Sequence, residues 1–263
     1  MKPSLEMIEK WARHAGQMAK EMRGEDLKVE YKGDADLVTR ADKAIEAYLL
    51  TEINEAFPEH GVLGEETGIH QKNSAHRWFI DPIDGTLNYA HGLPEYSISI
   101  AYANQDGLQV AVIYQPEMDE MFSAAKGRGA WLNGKPMRVS KIESLIDSLL
   151  ITGFRHALLD TPRSNINNFI HISRKAQTVR RLGSAALDLA YVAAGRAEGF
   201  WEIALNPWDV AAGILLVREA GGVVEGLYGE AELLEGSVDI LAANPIIFPQ
   251  LRDILLEVRD LKA

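Results

Sequence analysis

The chain has 263 residues, 47% of them hydrophobic and 25% charged, and it contains no cysteine. That length and mix suit a folded chain with a sizeable core, and the lack of thiols excludes disulfides, thiolate zinc sites, iron–sulfur clusters and cysteine nucleophiles. With 27 basic and 38 acidic residues the formal charge is −11, which opposes direct binding to nucleic acid or to an anionic membrane, and an anionic ligand would need cations to reverse the local sign.

In chain order, Met1-Lys2-Pro3-Ser4-Leu5-Glu6 offers no apolar signal region, since acids and bases recur through Lys10. No stretch reaches the ~18 apolar residues of a membrane span, so a cytoplasmic location is expected. Leu5, Ile8, Ala12, Ala15, Ala19 and Met22 recur at helical spacing, and Gly24 stops the pattern. A polar loop, 32–36, follows. A second helix is predicted over 39–56, with Ala41, Ile45, Tyr48, Leu49 and Ile53 on one face, and Pro58 ends it.

The middle of the chain is patterned as strands. Trp78-Phe79-Ile80 is a short apolar run predicted to end at Asp81, because Pro82 drives the residue before it extended. Alternating runs at 97–103 and 108–114 flank the hairpin dipeptide Asp106-Gly107. Met121-Phe122 opens another strand, Asn133-Gly134 marks another hairpin, and 149–152 has the composition of a buried strand. Beyond it come an alanine-rich helix over 184–194 and a short strand, Phe200-Trp201-Glu202. Asn206-Pro207-Trp208-Asp209 opens a helix reaching Ala220, with Pro207 at the first helical position, where proline is tolerated. A strand at 240–243 and a helix over 246–258 close the chain. The layering of helices and strands without a linker predicts one α/β (α+β) domain over 1–263, with a soft boundary near residue 145.

Three acidic element ends carry the chemistry. Asp81-Pro82-Ile83-Asp84-Gly85-Thr86 places two carboxylates at the end of an apolar strand, next to backbone N–H groups that a helix start leaves available to an anion. Gly64-Glu65-Glu66 follows the apolar Val62-Leu63, and Asp209 stands in the first turn of the helix opened by Pro207. Each admits a plainer reading: Asp84 caps its own helix, Glu65 and Glu66 form a solvated turn, and Asp209 complements a helix dipole. Together they have the composition of an oxygen-only site for a hard divalent cation such as magnesium. The seven histidines are scattered without metal-ligand spacing and are expected mostly at the surface. Gly127-Arg128-Gly129 is expected as a turn between strands, and Arg155, Arg180 and Arg181 as exposed residues or partner contacts.

These motifs, extended to Asp81–Tyr89 and to Trp208-Asp209-Val210-Ala211-Ala212-Gly213, resemble the signatures of the inositol monophosphatase family in order and approximate separation, over nearly the whole chain. The stretch from Gly183 to Gly222 is most similar to bacterial members. The resemblance implies a layered α/β/α/β/α sandwich of the sugar-phosphatase type shared with fructose-1,6-bisphosphatase. It implies hydrolysis of myo-inositol monophosphates and similar polyol phosphates by direct attack of water, dependent on Mg2+ and inhibited by lithium. Carried over by position, Glu65, Asp81 and the carbonyl of Ile83 hold one metal, and Asp81, Asp84 and Asp209 a second, while Glu65 helps hold a third through water. Gly85 and Thr86 donate to phosphate, Asp42 and Thr86 orient water, and Ala185 and Glu202 contact the inositol ring beside Asp209. The resemblance further implies a homodimer and, for bacterial members, a protein-partner role in RNA polymerase antitermination. Fructose-1,6-bisphosphatase, histidinol-phosphatase and 3′-phosphoadenosine 5′-phosphate phosphatase activities are alternatives within the family. Leu87, Tyr89 and Trp201 depart from the commonest family residues, with Trp201 expected in the core. Lys32 is a candidate for approaching the phosphate or a solvated lysine.

Overall fold

The computed structural model describes residues 3–23, 30–31, 37–71, 74–228 and 233–260. Gly24 and the loop 32–36, with Lys32, lie outside the described residues. The helical periodicity near the N-terminus is realised as α1 (Leu5–Arg23) and α2 (Arg40–Ala56), which bury Ile8, Trp11, Ala12, Ala15 and Ala19 and Ala41, Ile45, Leu49 and Ile53 respectively. Thr39 caps α2. Its hydroxyl accepts from the N–H of Ala41 at 3.1 Å, and Asp42 Oδ2 accepts from the N–H of Thr39 at 2.8 Å. Such reciprocal capping satisfies donors that the first helical turn leaves orphaned.

The strands form two large sheets and a two-stranded ribbon, β1 (Glu30–Tyr31) with β2 (Leu37–Val38). The first large sheet holds β3 (Gly61–Gly64), β4 (Gly68–His70), β5 (Arg77–Asp84), β6 (Ser97–Asn104), β7 (Gly107–Gln115), β8 (Glu120–Ala125), β9 (Gly129–Leu132) and β10 (Lys135–Pro136). Their order is β10-β9-β8-β7-β6-β5-β3-β4, antiparallel except for the parallel β3–β5 pair. The second holds β11 (Leu149–Thr152), β12 (Thr178–Arg180), β13 (Gly199–Leu205), β14 (Val223–Gly226) and β15 (Val238–Ala243), in the order β12-β11-β13-β15-β14. Expected hairpins at Asp106-Gly107 and Asn133-Gly134 join β6 to β7 and β9 to β10, and Gly127–Gly129 lies at the turn from β8 to β9.

Side-chain alternation along the strands sets the layers. Trp78 and Ile80 of β5, Ile98 and Ile100 of β6, and Val110 and Val112 of β7 pack with α1 and α2. Their neighbours Phe79, Ala101, Ala111 and Ile113 face the other way, onto α5 (Ala185–Ala193) and α6 (Pro207–Glu219). The same two helices meet Ile151, Phe200, Ile240 and Ala242 of the second sheet. That sheet's far face, with Leu150, Trp201 and Leu241, packs on α4 (Ile166–Ser173) and α7 (Ile247–Asp260). Five layers result: α1/α2, first sheet, α5/α6, second sheet, α4/α7. Trp201 is fully buried there, as expected for a core aromatic. Strands covered on both faces are apolar throughout, which explains why 78–80 and 149–152 show runs instead of alternation.

Two expectations need correction. The strand at 78–80 does not end at Asp81 but continues to Asp84, with a break in its pairing to β6 between those residues. Pro82 cannot donate to the ladder, and the break is where that costs least. The strand at 200–202 extends over 199–205 through a second irregularity between Glu202 and Leu205. The histidines lie mostly at the surface, as expected; His60 is buried, accepts from Trp78 Nε1 at 3.1 Å, and burial holds its pKa down at about 4.

Within that second irregularity Ala204 takes φ +59°, a left-handed conformation costly for any residue with a Cβ. Asp239 Oδ1 accepts from its N–H at 2.8 Å and Arg155 Nη1 donates to its carbonyl at 2.6 Å, so both sides hold it there. Ala204→Gly should relieve about 1–2 kcal/mol of strain, less about 0.5–1 kcal/mol for glycine's greater unfolded freedom. The variant is expected to be more stable by roughly 0.5–1 kcal/mol in denaturant titration; a less stable variant would show that the side chain's packing outweighs the strain.

Candidate active site

The acidic motifs converge because the ends of β3 and β5 and the starts of four helices meet at one edge of the sandwich. β3 and β5 are parallel neighbours, with Gly64 opposite Ile80, so the turn carrying Glu65 leaves the sheet beside Asp81. Asp81 is buried, and its Oδ1 accepts from the N–H of Ile83 at 3.1 Å. The chain then turns at Gly85, at φ +93°, before the short helix α3 (Thr86–Ala90). A Cβ at Gly85 would stand 2.9 Å from the carbonyl of Glu95 and 3.2 Å from that of Gly183, so both conformation and space require glycine.

That close approach brings Asp84 to the start of α5. Asp84 Oδ2 accepts from the hydroxyl of Ser184 and from the N–H of Ala186 at 2.7 Å. The plainer reading, in which Asp84 caps its own helix, does not hold: Gly85, with no side chain, stands at that N-cap, and Asp84 instead serves a helix about a hundred residues later. Asn88 ties the same regions together, its Nδ2 donating to the carbonyls of Glu95 and Leu182, each at 2.7 Å. Asp209 does behave locally as a capping residue, its Oδ2 accepting from the N–H of Asn206 at 2.7 Å. Asp42, buried at the start of α2, faces Thr86, whose Oγ1 lies 3.1 Å from Asp42 Oδ1 and 3.0 Å from the carbonyl of Ile83.

The carboxylates share one electrostatic field. Burial pushes the pKa of Asp81 well up, and Glu65, Asp84, Asp209 and Asp42 each push it further. Asp209 is raised by burial, then by Asp84, Glu65 and Glu202, against the opposing bond from Asn206. Asp84 rises to about 6 through burial, although Ser184 and the first amides of α5 oppose the change. Asp42 is raised by burial against the bonds from Thr39 and Thr86. Mutual repulsion of buried carboxylates is what a hard cation relieves, and the donors are all oxygen. Among the described residues no three acidic side chains stand as a finished ligand set. The fit to a divalent cation rests on donor type and on the shared field.

Glu202 on β13 borders this field. Burial and Asp84 push its pKa up to about 8, and Arg181 opposes them. Its carboxylate lies against the backbone of Gly153, where a Cβ would come within 2.2 Å of the carboxyl carbon. Ala185, the first residue of α5, follows Ser184 and so lies next to the Asp84 contact. Glu65, Asp81, Asp84, Asp209 and Asp42 are thus brought together, with Thr86 and the carbonyl of Ile83 bonded beside them and Gly85, Ala185 and Glu202 at the border. Sequence reasoning gave no role to Glu46, Ser184 or Asp188. Ser184 carried an N-cap signal. Asp188, on the same helix, is buried with Oδ1 lacking a hydrogen-bond partner, and its pKa is raised well up by burial, Glu202 and Asp84.

Among the described residues no helix is long and apolar enough to cross a membrane. The family model for the inositol monophosphatase family matches residues 1–259. An inositol-1-monophosphatase of Mesorhizobium japonicum is 42% identical over 228 residues, covering 85% of this chain and 84% of the relative. The Nus factor SuhB of Pseudomonas aeruginosa is 41% identical over 260 residues, covering 95% of each chain. The crystal structure of the extragenic suppressor protein suhB from Bartonella henselae superposes with a TM-score of 0.90 at 39% identity, covering 95% of this chain and 97% of that one. The carboxylate-lined edge and these matches over the full sandwich together show that the chain belongs to the inositol monophosphatase family and is a phosphoric monoester hydrolase.

Proposed function

We propose that the chain hydrolyses myo-inositol monophosphates and similar small polyol phosphates, with Mg2+ as cofactor and Li+ as inhibitor. The observation that carries this reading is the single field shared by Glu65, Asp81, Asp84 and Asp209, with Glu202 on its border. A phosphate monoester carries about two negative charges at neutral pH, and Mg2+ when bound supplies charge neutralisation and acidifies water. Glu65, Asp81, the carbonyl of Ile83, Asp84 and Asp209 would hold the cations.

The remaining steps belong to the protein's own groups. Thr39 fixes Asp42 Oδ2 through its N–H, leaving Oδ1 facing Thr86. When the Thr86 hydroxyl donates to Asp42, its lone pairs turn outward and align an attacking water with phosphorus. The N–H groups of Gly85 and Thr86, at the start of α3, donate to phosphate oxygens. Glu202 and Ala185 meet the ring hydroxyls, and a site built to bond hydroxyls discriminates against analogues lacking them. When ionised, Glu202 also repels a second phosphate, which favours monophosphates over fructose 1,6-bisphosphate and 3′-phosphoadenosine 5′-phosphate; histidinol phosphate belongs in the same substrate panel. A cytoplasmic homodimer is part of the proposal.

A second reading is favoured by similarity across 95% of the chain to a relative named as a Nus factor: a protein-partner role in transcription. One variant separates the two. Asp84→Asn is expected to keep the fold and lose nearly all phosphate release at saturating Mg2+. Full turnover by that variant would overturn the metal assignment. Rescue of a deletion phenotype by the inactive variant would favour the partner role.

Metal-free protein should respond to pH with a definite sign. Unfolded carboxylates titrate near pH ~4, whereas Asp84 titrates at about 6 and Glu202 at about 8 in the fold. The folded state therefore keeps protons that the unfolded chain has released, and stability falls as pH rises across that window. The melting temperature of stripped protein is expected to drop between about pH 5 and pH 8, and added Mg2+ to restore it at the upper end. A melting temperature that climbs over that range would contradict the carboxylate field.

Glu202→Gln is expected to impair inositol phosphate hydrolysis more than hydrolysis of a simple aryl phosphate. With Glu202 ionised, above about pH 8, its hydrogen bond to a hydroxyl is worth about 1.5–3 kcal/mol, or roughly ten- to more than hundredfold in the ratio of kcat/KM values. Equal losses on both substrates would place Glu202 in support of the metal site or the fold.

A further inference from the structure

Glu46 follows Asp42 by one helical turn on α2 and is fully buried, with its carboxylate bonded to the turn that follows β3. Its Oε2 accepts from the N–H of Glu66 at 2.9 Å, and its Oε1 from the N–H of Thr67 at 2.7 Å and from the Thr67 hydroxyl at 2.5 Å. Gly64 lies flat on the same group, since a Cβ there would stand 2.8 Å from the carboxyl carbon. With the Thr67 proton committed to Glu46, His70 Nε2, 2.8 Å away, donates to Thr67 Oγ1. Three donors satisfy one buried charge, and they fix the two peptide units that follow Glu65.

We propose that Glu46 is a positioning residue that locks the 65–67 turn so that Glu65 presents its carboxylate to the cation shared with Asp81. The proposal rests on the metal reading above. Asp42 and Glu46 stand on one face of one helix, so α2 sets the Thr86 pair and the Glu65 turn together. The 65–67 turn joins β3 to β4, a three-residue strand at the edge of its sheet, and both Thr67 and His70 are exposed. A metal ligand on such a segment needs an anchor in the core, and outer partners of this kind change metal affinity by about 10–100-fold when removed.

The test compares metal-stripped parent, Glu46→Gln, Thr67→Val and Thr67→Ser. Mg2+ is titrated with two readouts: the rise in melting temperature of stripped protein, and turnover. Glutamine keeps the shape and one acceptor, but its amide nitrogen cannot accept from Glu66. Glu46→Gln is expected to need about ten- to a hundredfold more Mg2+ for half-saturation in both readouts, with kcat recovered at saturation. Thr67→Val should shift in the same direction by less, and Thr67→Ser, which restores the hydroxyl, should match the parent. Unshifted Mg2+ half-saturation in Glu46→Gln and Thr67→Val, or a loss of kcat with no change in Mg2+ requirement, overturns the positioning role. If Glu46→Gln fails to fold, the Thr67 pair decides. A parent indifferent to Mg2+ in both readouts overturns the metal reading and this proposal with it, and that outcome is visible in the parent alone.

Discussion

Like charges buried together repel, and most of this molecule's local structure at the site can be understood as containing that repulsion. Asp42 and Asp209 stand in the first turns of α2 and α6, and Asp84, at the end of β5, faces the start of α5, where backbone N–H groups and the helix dipole favour negative charge. Each also has one carboxylate oxygen committed to a local donor: the N–H groups of Thr39 and Asn206, and Ser184 with Ala186. Dipoles and donors soften the field without abolishing it, since the pKa shifts of Asp81, Asp84 and Asp209 all remain upward. The five layers serve this arrangement by packing four helix starts and two strand ends at one edge.

The layers and the three acidic element ends were legible in the sequence, and the cross-connections were not. Apolar runs at 78–80 and 149–152 disclosed strands covered on both faces, and the spacing of Ile8 to Ala19 and Ile45 to Ile53 disclosed the outer helices. The local capping reading of Asp209 is correct as far as it goes, because a capping box is a relation between residues three apart. The same reading misassigned Asp84, whose partners are Ser184 and Ala186. Nothing local distinguishes a carboxylate that caps its own helix from one that caps a distant helix.

Glu46 escaped notice for a related reason. Its partners are mostly backbone N–H groups about twenty residues away, and a backbone donor leaves no mark in composition. The overrun of β5 past Pro82 was similarly hidden. The proline correctly signals an interrupted ladder, but only the resumed pairing of Asp84 with Ser97 shows that the strand continues. Where the chain met rules of its own local chemistry, prediction succeeded; where a residue answered to a tertiary neighbour, it did not.

The bond from Ser184 to Asp84 spans 100 positions, and that from Ala186 spans 102. Contacts of such separation form late, because the loop they close has to lose its freedom first. During synthesis the first sheet can be complete, with Asp81 and Asp84 already in place, before the residues that dock beside them have left the ribosome. Catalytic competence is then the last property acquired, and it certifies that both ends of the chain have docked. A molecule that turns over substrate has, by that fact, finished folding.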